Sequence, residues 1–324
     1  MKFATRDNGT PDGELLLVSR DLRRAIMAPQ VATLRQLLEQ WSLYVDGLQT
    51  ASDILNAGEA HDSFAFEPHR MLAPLPRAWQ WLDGSAYPNH AYWMARSMGH
   101  EPQRLADYPL LYQGGSDTLL GARHDVPFPS EEHGIDFEAE VAVILDDVPM
   151  GCTEDQATSR IRLILLANDW SLRHLQAREI STGFGFIQGK PSTSFSPVAV
   201  TPDELGDHWQ GDRLALPVHA HINGEWVGSP NAGGMQPGFG GLIAYAATTR
   251  KLSAGTILGG GTVSEDGPAA GSATIAEIRA IEKSTTGRMR TSFLRYGDTV
   301  SIDVKDAQGA SIFGAIEQRV VPVR

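Results

Sequence analysis

The chain is predicted to be an α+β protein, predominantly β, with a small N-terminal domain over residues 1–70 and a larger domain over residues 71–324. Three observations lead there. A length of 324 residues buries a substantial core and suggests about two domains, or one large domain with an appendage. From Leu72 onward, short strand-like runs alternate with Gly- and Pro-containing loops, and long helical patterns are few. No Gly-x-Gly-x-x-Gly follows a strand-like run, and no long internal repeat is present.

In chain order, Phe3-Ala4-Thr5 and Glu14 to Ser19 flank the turn-rich Asp7-Asn8-Gly9-Thr10-Pro11-Asp12-Gly13, which predicts a hairpin. Leu34, Leu37, Leu38, Trp41 and Leu43 recur at roughly helical spacing, and a further helix is expected to end at Asn56-Ala57-Gly58. Pro68, Pro74 and Pro76 mark the boundary between the two units. Beyond it, Ile135 to Leu145 and Leu163 to Ala167 read as strands. Val218 to Ile222, Asn223-Gly224 and Glu225-Trp226-Val227 predict a second hairpin, because Asn-Gly tolerates the positive φ of a type I′ turn. Ser253 to Leu258, Ile275 to Ile281, Thr299 to Val304 and Ala315 to Val323 also read as strands.

The apolar runs are far shorter than a bilayer span, and no basic segment followed by an apolar stretch opens the chain, so a cytoplasmic enzyme is expected. A formal net charge of −12 argues against a nucleic-acid or anionic-membrane partner. An anionic substrate would have to be drawn in by local cations. The one cysteine, Cys152, excludes an internal disulfide and any multi-cysteine zinc site, and reads as a small apolar residue near a turn.

Glu138 and Glu140 are the most informative residues. In an extended strand, residues two apart share a face, so both carboxylates lie on the side of Ala142 and Ile144 and are aimed at an apolar environment. Two neighbouring buried carboxylates repel each other, and a hard divalent cation removes the penalty. An edge strand with one face in water is the alternative reading. Asp169 follows the apolar run Leu163 to Ala167, where a carboxylate serves equally as a metal ligand or as a helix cap. Arg173 and Gln176 share one face of a helical turn, which in isolation is a solvated face. Lys190 lies in a Gly- and Phe-containing loop, where most lysines only snorkel.

Together these segments resemble the fumarylacetoacetate hydrolase family. The resemblance rests on Asp-Phe-Glu-Ala-Glu at 136 to 140, Asn-Asp-Trp-Ser-x-Arg-x-x-Gln from 168 to 176, Gly189-Lys190, Gly261-Thr262-Val263-Ser264 and the segment around Glu277, and it covers roughly residues 72 to 324. It implies a mixed β-roll, a homodimer, and a divalent cation, Mg²⁺ or Ca²⁺ with Mn²⁺ also admitted. By the same resemblance, Asp83, Glu138, Glu140 and Asp169 are the metal ligands, and His90 is the catalytic base oriented by Glu277. Asp83 stands seven residues before His90, as the family's metal-binding aspartate does before its histidine. Tyr112 and Thr262 are the implied substrate contacts. His133 is the rival histidine and reads as structural, while His174, between Arg173 and Gln176, is expected to be exposed. Two departures loosen substrate identity: no aromatic residue follows Gln176 shortly, and Arg96 only approximates the family's substrate-binding arginine.

The implied reaction is metal-dependent hydrolysis of a carbon–carbon bond in a β-diketo acid such as fumarylacetoacetate or an acylpyruvate, in the catabolism of tyrosine or other aromatic compounds. The substrate is thus a small anionic dicarbonyl acid. Imidazole suits a general base near neutral pH, and Lys190, Arg173 and Gln176 would donate to the oxyanion, each such donor being worth about 2.7 to 4 kcal/mol. A lyase on the same site, either a 2-oxo-alkenoate hydratase or an oxaloacetate-type decarboxylase, is the alternative. A non-catalytic metal-binding module would leave His90 and Glu277 without purpose.

Overall fold

In the computed structural model, which describes residues 1–97, 108–267 and 269–323, the antiparallel strands Ala139–Leu145 and Ile161–Asn168 lie at the centre. Residues 141–145 and 163–167 within them are continuous apolar runs, as suits strands covered on two faces. Alternation sends Val141, Val143, Leu145, Ile164 and Leu166 into one core, and Ala142, Ile144, Leu163, Leu165 and Ala167 into another. Among the described residues these strands belong to a 12-stranded sheet. Its main path runs Phe64–Ala65, Arg24–Met27, Glu14–Val18, Lys2–Arg6, Ala199–Val200, Ile161–Asn168, Ala139–Leu145, Ile257–Gly259, Trp81–Gly84, Leu111–Gly114. A five-stranded sheet orders Glu225–Gly228, His219–Ile222, Thr299–Asp303, Ile316–Pro322 and Val126–Phe128. The predominantly β, α+β prediction is borne out.

Lys2–Arg6 and Glu14–Val18 form the expected hairpin, and Lys2 also pairs with Val200, so the N-terminal strands continue the central sheet. The helical pattern resolves into two helices, Leu34–Glu39 and Trp41–Asn56, broken at Gln40. The break resets the helical phase, and Leu43 is exposed instead of joining Leu34, Leu37 and Leu38 in the core. These helices cover the second core, where burying each Leu side chain contributes about 1.5–3 kcal/mol. In the second hairpin Asn223 and Gly224 take φ of 53° and 81°, as a type I′ turn requires.

Two strand expectations need correction. Ile275 to Ile281 lies in a helix, Ile275–Thr286. Its first turn is capped by Asp136, whose Oδ1 accepts from Ile275 N at 2.9 Å and Oδ2 from Ala276 N at 2.9 Å. A carboxylate from a remote strand stabilises a helix N-terminus without leaving any local sequence signal. Of Ser253 to Leu258 only the end is extended, in Ile257–Gly259, because Thr256 N closes a turn onto Ser253 O at 3.0 Å. Among the described residues, no helix is long and apolar enough to cross a membrane.

Candidate active site

Three strands of the central sheet carry a carboxylate within or just beyond one end, brought together in one cluster. Trp81 belongs to the second core and Asp83 lies two residues on; Glu140 alternates with Ala142 and Ile144; Asp169 follows Ala167 by two. The carboxylates of Asp83, Glu140 and Asp169 lie within 4.8 Å of one another and are at most 3% exposed. Gly259 pairs with both Ala142 and Asp83. A Cβ there would stand 2.3 Å from Asp83 Oδ1 and 2.5 Å from the Trp81 ring, so only glycine leaves room. Gly261, at φ 87°, donates its N–H to Asp83 Oδ1 at 3.2 Å.

The four acidic residues are held differently. Asp169 Oδ1 accepts from Thr193 Oγ1 at 2.7 Å, and its Oδ2 from the Tyr112 hydroxyl at 2.6 Å and from Lys190 Nζ. Glu138 lies outside the three-carboxylate group, with one oxygen on Lys190 Nζ and the other 2.8 Å from Arg173 Nη2. Burial alone would raise its pKa, but Lys190 and Arg173 outweigh that and hold it well below the usual carboxylate range. Burial would likewise lower Lys190, and Asp169 and Glu138 push it up instead. Burial, then Asp83 and Asp169, drive Glu140 well above the ordinary value, and burial followed by Asp169 does the same to Asp83.

Both oxygens of Glu140 are buried with no hydrogen-bond partner. An unpartnered buried carboxylate beside two others is unfavourable unless a proton or a cation neutralises it. Asp83, Glu140 and Asp169 therefore fit a hard divalent cation, and an all-oxygen donor set admits Mg²⁺, Ca²⁺ and Mn²⁺ alike. Glu138, the fourth expected ligand, has its oxygens held by Lys190 and Arg173.

His90, in the helix Pro88–Ser97, places Nδ1 2.9 Å from Glu277 Oε2. The other Glu277 oxygen accepts from Ser272 Oγ at 3.0 Å. With Nδ1–H donated to the carboxylate, Nε2 is left as the proton acceptor. Glu277 is in the first turn of the Ile275–Thr286 helix, the turn that Asp136 caps. Asp136 in turn accepts from Arg173 Nε at 2.7 Å and Thr274 Oγ1 at 2.8 Å. The DFEAE segment and the arginine of Asn-Asp-Trp-Ser-x-Arg thus fix the orientation of the His90 partner.

A cavity of about 680 Å³, of ligand size, opens onto this assembly. Every predicted site residue lines it except Asp169 and Glu277, which lie behind and touch lining residues. Arg173 and Gln176 share the helix Arg173–Ile180, as expected. Their polar groups, however, bond to protein: Arg173 Nη1 to Gln176 Oε1 at 3.1 Å, Nη2 to Thr274 Oγ1 at 2.8 Å, and Gln176 Nε2 to Ser171 Oγ at 3.2 Å. These bonds leave Arg173 and Gln176 one free N–H each. Lys190 has two of its three N–H groups on carboxylates, which leaves one for a ligand. His133 sits in the turn Glu131–His133, ahead of the strand, and is not among the described lining residues. His174 is exposed, with Nδ1 2.6 Å from Glu132 O.

Sequence reasoning gave no role to Asp136, Thr193, Ser272 or Gly259. Asp136 stands two before Glu138, and the run Gly259-Gly260-Gly261 marks a close backbone approach. Those signals were available. Nothing local distinguishes Thr193 or Ser272.

A family profile described as "Fumarylacetoacetate (FAA) hydrolase C-terminal" matches residues 80–321, and one described as "Fumarylacetoacetase N-terminal domain 2" matches residues 1–77. A 2,4-didehydro-3-deoxy-L-rhamnonate hydrolase of Sphingomonas sp. (strain SKA58) is 29% identical over 157 residues, 48% of this chain and 52% of that protein. A mitochondrial oxaloacetate tautomerase of Xenopus laevis is 25% identical over 157 residues, 48% of this chain and 47% of that one. The matched segment thus spans about half the length of these curated relatives. The solved structure of a maleylpyruvate hydrolase from Sphingobium sp. SYK-6, in complex with manganese(II) and pyruvate, superposes with a TM-score of 0.67 over 100% of both chains. At 15% identity that likeness speaks for the fold alone.

Proposed function

The chain belongs to the fumarylacetoacetate hydrolase family, and we propose that it is a divalent-metal-dependent hydrolase cleaving a carbon–carbon bond in a small β-diketo acid such as an acylpyruvate or fumarylacetoacetate, in aromatic catabolism. One observation carries this reading: the His90–Glu277 pair and the Asp83, Glu140, Asp169 cluster meet at one cavity. Asp83, Glu140 and Asp169 would hold the cation, which when bound would supply Lewis-acid polarisation of the dicarbonyl head.

The chain's own residues do the rest. His90 Nε2 takes a proton from water as the water oxygen bonds to the distal carbonyl carbon, and Glu277 stabilises the imidazolium. Lys190 donates its remaining N–H to the developing oxyanion. The carbon–carbon bond then breaks, its electron pair stays with the departing 2-oxo acid as an enolate, and the imidazolium returns the proton to that carbon. An acylpyruvate plus water gives a carboxylic acid and pyruvate.

A second reading has its own support. With Arg173 and Gln176 engaged by protein groups, fewer donors face the oxyanion than the sequence suggested, and enolate chemistry without hydrolysis needs fewer. Chelator-stripped protein reloaded with Mn²⁺, Mg²⁺ or Ca²⁺ and given acylpyruvates, oxaloacetate and 2-oxo-alkenoates separates the two. Release of pyruvate plus a carboxylic acid is expected. Turnover confined to oxaloacetate or alkenoates assigns the lyase or tautomerase reading instead.

A further inference from the structure

The helix Arg173–Ile180 and Lys190 both contribute to the cavity wall, and the loop that joins them places its apolar side chains unevenly. Ile180 and Phe186 line the cavity, and the Phe186 ring meets the Tyr112 ring edge-on, with centroids 5.2 Å apart. Between them Phe184 is 98% exposed, and Ile187 just beyond is 84% exposed. Among the described residues no other large apolar side chain is so fully in water.

The loop is anchored at its base and loose at its tip. Glu179 Oε1 accepts from Ile187 N at 3.1 Å and Gln188 N at 2.8 Å, and its Oε2 accepts from Gly189 N at 2.9 Å, so one carboxylate pins the returning chain to the helix. Gly183 and Gly185, at φ 72° and 100°, flank Phe184, and no atom lies within 4 Å of where a Cβ would stand on either. Among the described residues, the backbone N–H groups of Gly185 and Phe186 reach no acceptor. A segment with so few contacts loses little by moving.

The mouth of the cavity is its complement. Leu110, Ile180 and Met289 line the cavity and are themselves exposed, so apolar surface is wetted on both the rim and the loop tip. Bringing the two together removes both from water. The reach is short, because Phe184 stands two residues before Phe186 and its Cα is therefore at most about 7 Å from that of a residue already on the wall. The carbon chain of a ligand completes the surface on which the ring would rest.

We propose that residues 181–186 form a lid, and that Phe184 at its tip folds over the cavity mouth when a 2-oxo acid with a carbon chain is bound. The inference rests on the reading above for the head group, so binding and closure are measured separately. The probe is 2-oxohexanoate, which carries a 2-oxo acid head and an apolar chain but no second carbonyl to cleave. Calorimetric titration of the Mn²⁺-loaded protein establishes saturation, and hydrogen exchange read by mass spectrometry compares saturated with ligand-free protein. The amides of residues 181–188 should exchange about tenfold or more slowly with ligand, at every protein concentration. Phe184→Ala should weaken 2-oxohexanoate binding about tenfold, leave Mn²⁺ affinity unchanged and remove most of the added protection. Thermal melts confirm that the variant folds. No heat of binding defeats the head-group reading and the lid together. Binding without added protection overturns the lid alone, as does undiminished affinity in Phe184→Ala. Protection that follows protein concentration instead of ligand also overturns it, and makes Phe184 a contact between copies of the chain.

Discussion

Glu140 is the residue on which the metal reading turns, since its two buried oxygens lack any partner. Glu140→Gln should weaken Mn²⁺ binding by more than the 10- to 100-fold typical of losing an outer-shell partner, and should raise the melting temperature of the metal-free chain by removing a buried charge. Metal titration and paired melts read both effects, and unchanged affinity contradicts the assignment. His90→Ala should lower kcat roughly 10²- to 10⁴-fold with Mn²⁺ affinity intact, and Glu277→Gln should lower it less. His133→Ala should change kcat little. An inactive His133→Ala beside an active His90→Ala would invert the histidine assignment. The paired glutamates were legible because period-two alternation aims carboxylates at an apolar face, whereas Asp169 read equally as a ligand or a helix cap and was singled out only by the family resemblance. What period two could not reveal is that Glu138 is neutralised by Lys190 and Arg173, partners far along the chain.

Asp136 and the helix Ile275–Thr286 show how elements position the site. Asp136→Asn should cost about 1 to 2 kcal/mol for the helix cap, and more where it leaves Arg173 buried without its partner. Because that helix carries Glu277, kcat should fall as well, while Mn²⁺ affinity changes little. Denaturant unfolding and steady-state kinetics check the pair of effects, and full kcat in a destabilised variant breaks the link. Gly259→Ala should do the reverse, displacing Asp83 or Trp81 and weakening the metal more than the His90 step. The hairpins at Asp7 to Gly13 and Asn223-Gly224 were legible because turn chemistry is local. The Glu277 helix was not, because its cap comes from a strand more than a hundred residues earlier in the chain.

Across the whole molecule, two opposed groups of carboxylates set the pH dependence. Asp83 and Glu140 titrate above their ordinary values in the folded chain, so the stability they contribute is full below the unfolded value of about 4 and is lost as pH rises through the raised values. Glu138 is held low, so its contribution is present above the unfolded value and is lost only in acid. Metal-free protein is thus expected to melt lower at about pH 8 than at about pH 5, and the rise on adding Mn²⁺ should be larger at the higher pH. A metal-induced rise equal at both pH values speaks against a cluster of raised carboxylates. The class of fold was legible from strand and turn patterning, whereas the continuity of the N-terminal hairpin with the central sheet depends on the remote pairing of Lys2 with Val200. The central claim, that His90 delivers water to a dicarbonyl acid held by the acidic cluster, is tested most directly by turnover of an acylpyruvate in ¹⁸O-labelled water with Mn²⁺ present. The account predicts one labelled oxygen in the new carboxylic acid, unlabelled carbon–carbon cleavage nowhere, and loss of the product in His90→Ala and in chelator. An acylpyruvate recovered intact, or turned over without label entering a carboxylate, would contradict it.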